Sequence, residues 1–356
     1  MSGNISRNNG ISEVMVVGEP AWHRLGTVLD GPATAEQAIK AAHLDWTVSK
    51  RPILVGGEGL GERRCRVADL NAVVRDDEWS LKKAAVLGYA FEDHKPLQNR
   101  DAFDFFDPIV GENAAVYHTA GALGDGERVW ILAKLPGNIC LPGDDITEKF
   151  LLLSNTHGGD GGVAIKFTPI RVVCQNTLTL AMQEGTSLHI ANAKDMKERL
   201  AIAAGIVNAV TARYRDVEEV FGEMANLKLG RRELQWYLSQ VFPDPNRADF
   251  DDDDSYERAL KWARADRSGA EYFFHEGKGN GVKGVAGTLW AAYNGVAEYV
   301  DYRKYSGKSA DRRLHAIWFG RGCAIKEHSY KLAVAGLFAM KRGSPSFFHE
   351  ALRNAC

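Results

Sequence analysis

The 356-residue sequence predicts an α+β fold: a central antiparallel sheet of hairpins with covering helices, followed by a mainly helical C-terminal region. Three observations carry this. Apolar and polar residues alternate with a period of two through most of the first 168 residues, broken at intervals by glycine and aspartate turns. One of these is a strong hairpin signal, AVYHTAGAL, then GDGE, then RVWILAKL. After Ile190 the spacing changes to three- and four-residue steps, the signature of amphipathic helices. The boundary expected is therefore a mixed core over residues 1–190 and a helical region over 191–356.

The elements follow in order. After a polar start, VMVV reads as a strand, and Trp22 with His23 reads as an aromatic anchor beside a histidine bonded to a carbonyl. Thr34 caps a packing helix through Leu44. Residues 45–92 read as an antiparallel meander, and Asn99 as the cap of a helix over 100–110. Phe150 to Thr168 forms a second hairpin around the turn HGGDGG. In that turn His157 and Asp160 are too few for a metal site, whereas glycine and aspartate are the residues a tight turn needs.

Next, RVVCQNTL carries Arg171, Cys174, Asn176 and Thr177 from a strand towards a helix over Leu178 to Met182. Unpaired N–H groups at a helix start, beside an arginine, favour an anion, so Arg171, Asn176 and Thr177 are candidate phosphate contacts. A cysteine nucleophile at Cys174 would need a histidine such as His157 or His189 within reach.

Beyond Ile190 the pattern gives a long helix over Asp195 to Met224, a second over Arg231 to Val241, and a third over Tyr256 to Arg264 capped by Asp254 or Ser255. A helix from Val282 to Tyr302 and a last one from Cys323 complete the region. The Gly277 to Gly281 run lacks the order of a nucleotide-binding phosphate loop.

Net charge is −2, but the charges are segregated. Asp244 to Glu257 holds seven acids against one arginine and reads as a solvated loop without the spacing of a calcium site. Lys278 to Arg342 holds twelve Lys and Arg against four acids, interleaved with aromatics: Arg303, Lys304, Tyr305, Lys308, Arg312, Arg313 and Arg321. Cations neutralise phosphates and rings stack on bases, so this composition suits a single-stranded nucleic acid. Five scattered cysteines give no disulfide or zinc pattern, and neither a signal peptide nor a spanning segment is legible, so a cytoplasmic protein without membrane contact is expected.

Several segments resemble a family of phage- and plasmid-encoded proteins built on domain of unknown function 932: PAWHRLGT, GYAFEDHKPLQNRDAFDFFD, GERVWILAKL, LLLSNTHGGDGG, TPIRVVCQNTL, TLWAAYNGVAEYVDY and WFGRGCAIK. The pattern of a strand-rich core with helices also resembles, in architecture, the single-strand annealing proteins of phage recombination systems. That resemblance implies a non-enzymatic, cofactor-free homo-oligomer that binds single-stranded DNA. Two alternatives stand beside it: a nucleotide-binding or host-defence enzyme centred on Arg171, Cys174 and Asn176, and a structural or partner-binding protein.

Overall fold

The structure is a computed structural model and describes residues 5–8, 10–18, 26–56, 64–77, 85–93, 95–111, 116–157, 163–171, 176–177, 205, 212, 214–308 and 310–341. It has the α+β architecture expected, with sheets in the N-terminal half and helices towards the C-terminus. The chain divides into two compact units that interleave in sequence. The first holds residues 1–136, 150–167 and 182–210, and the second holds 137–149, 168–181 and 211–356. His23, Asp160, Cys174, His189 and the helix expected over 178–182 lie outside the described residues.

In the first unit, β1 (Arg7–Asn8) and β2 (Ile11–Ser12) pair as a short ribbon. β3 (Val14–Val17) lies between β4 (Thr27–Leu29) and β8 (Val116–Leu123). β8 pairs antiparallel with β9 (Arg128–Leu141) across the expected GDGE turn. β10 (Asp145–Thr156) pairs antiparallel with β11 (Val163–Phe167), with Leu153 opposite Ile165. The meander appears as a separate sheet of β5 (Thr47–Val55), β6 (Cys65–Asp76) and β7 (Val86–Phe91). Tyr117, Trp130, Ile131, Leu151 and Leu153 lie in the core, each at most 2% exposed, and because the neighbours Trp130 and Ile131 point to opposite faces, both faces of β9 are covered there.

One pairing departs from the antiparallel expectation, since β3 and β4 run parallel. Gly26, immediately before β4, has a φ of +87°, a conformation other residues rarely adopt. A Cβ there would sit 2.0 Å from the Val14 carbonyl oxygen, so the close approach admits only glycine.

Helix α1 (Ala35–Ala41) begins as its sequence predicts, with a capping box in which Thr34 and Gln37 exchange side-chain and backbone hydrogen bonds. Helix α2 (Asn99–Gly111) includes Asn99, whose side chain does not act as the expected cap. Its amide donates to the carbonyls of Leu44 and Trp46 at 3.0 and 3.3 Å. Tertiary partners outcompeted the local one.

In the second unit β10 pairs with β12 (Ile170–Arg171), which pairs with β13 (Asn176–Thr177). Asn176 and Thr177 are therefore strand residues facing Arg171 and Ile170 in register, and the expected helix cap is corrected. Residues 214–226 are helical, so the long helix expected to end at Met224 runs about one half-turn further. α3 (Arg231–Val241) has the predicted bounds.

The acidic run reads differently in three dimensions. Asp252 caps α4 (Asp253–Glu276) by accepting the Ser255 N–H at 2.7 Å, and Asp253 and Asp254 form its first turn. Acids complement the positive end of the helix dipole, so the latter part of the expected acidic loop is a helix start. The helix then runs 24 residues, because nothing before Gly277 stops it.

Likewise, turns occupy the stretch before Thr288, with Gly284 and Gly287 at positive φ. Thr288 caps the shorter α5 (Leu289–Glu298), which passes into a π-helical segment, Tyr299–Lys304. α4 and α5 pack closely at Gly295, where a Cβ would meet the Phe274 nitrogen at 2.8 Å. α6 (Ala310–Trp318) and α7 (Arg321–Lys341) follow. No helix among the described residues is long and apolar enough to cross a membrane.

Candidate functional site

Of the candidate phosphate contacts Arg171, Asn176 and Thr177, the structure assigns Arg171 to the interior. Its side chain is fully buried and its Nε donates to both Asp145 oxygens at 2.7 and 2.9 Å. The remaining nitrogens reach the Asn280 side chain at 2.8 Å and the Gly279 and Lys278 carbonyls at 2.9 and 3.4 Å. Asp145 also accepts the Trp290 indole N–H at 2.7 Å. The glycine run at 277–281 thus presents carbonyls to an arginine rather than amides to a phosphate. Arg171 is corrected from anion contact to structural anchor: a charge desolvated and satisfied on every side offers no donor to a ligand. The enzyme reading centred on Arg171, Cys174 and Asn176 loses its cationic member.

A second polar interior lies in the first unit. Arg75, 1% exposed, forms ion pairs with Glu13 and Asp77, and its guanidinium lies 4.3 Å from the Trp46 ring centroid. His157 is buried nearby, its ring 5.5 Å from Trp46. Asn99 uses its amide on two carbonyls, so its oxygen faces His157 Nε2 at 3.1 Å, and a neutral ring with the proton on Nε2 satisfies it. The opposite nitrogen lies 3.5 Å from the Asn155 amide.

Burial, aided by the nearby Arg75 charge, pushes the His157 pKa down to about 4. The unfolded chain binds that proton near pH 6.5, so stability from this group is complete above pH 6.5 and declines as pH falls towards 4. We expect wild type to lose roughly 3 kcal/mol across that window relative to His157→Gln. Urea unfolding of both proteins at pH 7 and pH 4 measures this, and equal losses would refute it.

The basic segment forms the remaining candidate site. At the π-helical turn and the helices that follow, Arg303, Lys308, Arg312 and Arg321 are exposed. Arg303 lies 5.7 Å over the ring of Tyr272, a residue of α4 that is 51% exposed. Lys308 lies 5.0 Å from the ring of Tyr305, which is itself buried. The other predicted cations are occupied. Lys304 pairs with Asp266, and Arg313 donates to the Asp301 carbonyl while lying 5.6 Å over Tyr302. Lys326, also in this segment, is fully buried against Asp301 at 2.7 Å.

The exposed cations therefore separate from the structural ones by burial and pairing. Tyr272 and Trp262, the latter 69% exposed, were not legible as surface aromatics. Their helix looks uniformly mixed in sequence. Asn176 and Thr177 lie in β13, which packs against α5, and Cys174 lies outside the described residues. Among the described residues no cluster of three or more His, Cys, Asp or Glu is placed to hold a metal ion.

Comparison with curated proteins returned no match, and comparison with solved structures returned none. The family model described as Domain of unknown function (DUF932) matches residues 86–318. That span takes in the Arg171 anchor and the cations Arg303, Lys308 and Arg312, and it covers more than half of the sequence. On that match, the chain belongs to the DUF932 family.

Proposed function

We propose that the protein binds and anneals single-stranded nucleic acid without catalysis, as part of a phage or plasmid recombination system, and acts as a homo-oligomer in the cytoplasm. The observation that carries the reading is the exposed set Arg303, Lys308, Arg312 and Arg321, with Arg303 held over the accessible ring of Tyr272. Guanidinium groups pair with phosphates, and an exposed ring offers a stacking surface to any base. The phage setting and the annealing activity rest on the sequence resemblance, and the oligomer follows from the same likeness.

Binding of a labelled single-stranded oligonucleotide, followed by anisotropy at two salt concentrations, tests it. Affinity is expected to fall steeply with salt, and Arg303→Ala and Arg312→Ala each to reduce the slope of log affinity against log salt by about 0.7. Replacement of Arg171 is expected to leave the slope unchanged. Salt-insensitive binding, or none, would refute the reading, and light scattering on the same samples reports the oligomer.

A further inference from the structure

The first unit contains a cleft of about 510 Å³ that the nucleic-acid reading does not use. Its wall includes Asn8, Asp45, Trp46, Arg75, Asp76 and Asp77, all of which precede the span matched by the family. Charge there is unbalanced towards the negative. The buried cation, Arg75, is spent on Glu13 and Asp77. Asp76 is shared only with the exposed Arg51, at 2.7 Å, and Asp45 is exposed with no cationic partner among the described residues.

Carboxylates alone do not define a site, but two unsatisfied polar atoms accompany them. Trp46 is 6% exposed, and its indole N–H meets no acceptor among the described residues. The side-chain oxygen of Asn8 is likewise buried with no donor among the described residues. Buried N–H and C=O groups are almost always paired, because leaving one unpaired costs about 1–3 kcal/mol. The lining thus combines surplus carboxylates and an amide oxygen, which seek donors, with one indole N–H, which seeks an acceptor.

We propose that this cleft binds a small hydroxylated amine. Its ammonium group donates to the Asp45 and Asp76 carboxylates and to the Asn8 oxygen. A hydroxyl oxygen on the same molecule accepts the Trp46 indole N–H. An ammonium ion supplies three donors and no acceptor, so the hydroxyl is needed to complete the set. The volume accommodates a molecule of amino-sugar size.

The test follows the indole N–H of Trp46 by proton–nitrogen correlation spectroscopy of the full chain, its signal assigned by loss in Trp46→Phe. Titration with ethanolamine and with glucosamine is expected to move that signal saturably. Glucose, which has the hydroxyls without the cation, is expected to leave it in place. Asp45→Asn, at an exposed position, is expected to weaken glucosamine binding about tenfold, as loss of a charge-assisted contact does. The proposal is overturned if neither amine shifts the signal up to about 10 mM, below the affinity of even weak specific sites. It is equally overturned if glucose matches glucosamine, or if the Asp45→Asn, Asp76→Asn double variant binds as wild type.

Discussion

Arg171→Met is expected to destabilise the second unit by roughly 3–5 kcal/mol, because it strands the Asp145 carboxylate in the interior with one remaining donor, Trp290. The variant also leaves the Asn280 side-chain oxygen and the Gly279 carbonyl without their arginine partner. A buried pair is worth little compared with well-packed apolar residues, but half a pair is costly, since desolvation of the survivor is no longer compensated. Urea unfolding monitored by circular dichroism measures the effect. Adding Asp145→Asn is expected to recover part of the loss, because the neutral amide oxygen still accepts the Trp290 N–H and no buried charge remains. An Arg171→Met protein as stable as wild type but unable to bind oligonucleotide would restore Arg171 to the binding surface.

Arg75→Met is expected to cost a similar amount, roughly 3–5 kcal/mol, in the first unit. Glu13 is 1% exposed and takes both its hydrogen bonds from Arg75, whereas Asp77 is partly solvated and tolerates the loss better. The stacking of the guanidinium on Trp46 disappears as well. Arg75→Lys is expected to recover only a minority of the loss, as one ammonium cannot serve Glu13, Asp77 and the Asp125 carbonyl in a planar fork. Unfolding curves of the two variants beside Glu13→Gln test the assignment. If Glu13→Gln were the most damaging of the three, the acid rather than the arginine would be the organising residue.

Elements governed by local rules were legible from the sequence. Thr34 announces a helix cap, the GDGE turn fixes the β8–β9 hairpin, and the Arg231–Val241 helix has its predicted ends. Misreadings occurred where distant partners outbid local ones. Asn99 left its cap role for two carbonyls some fifty residues earlier, and Asn176 and Thr177 entered a strand pair with β12. The acidic run reads as a loop up to a cap at Asp254 or Ser255, whereas Asp252 is the residue whose carboxylate accepts the Ser255 N–H, so the helix begins earlier, at Asp253.

The sequence by itself determined the class of fold, the segregation of acidic from basic stretches, and the concentration of cations between Lys278 and Arg342. Periodicity and charge are properties of neighbours along the chain, so they survive without coordinates. Only the tertiary structure decided which cations face water and which are spent inside. Arg171, Arg75 and Lys326 are indistinguishable in sequence from Arg303 and Arg312, yet the first three are desolvated against Asp145, Glu13 and Asp301. Burial and pairing depend on residues tens to more than a hundred positions away, and these long-range contacts turn the same side chain into a structural anchor or a surface cation.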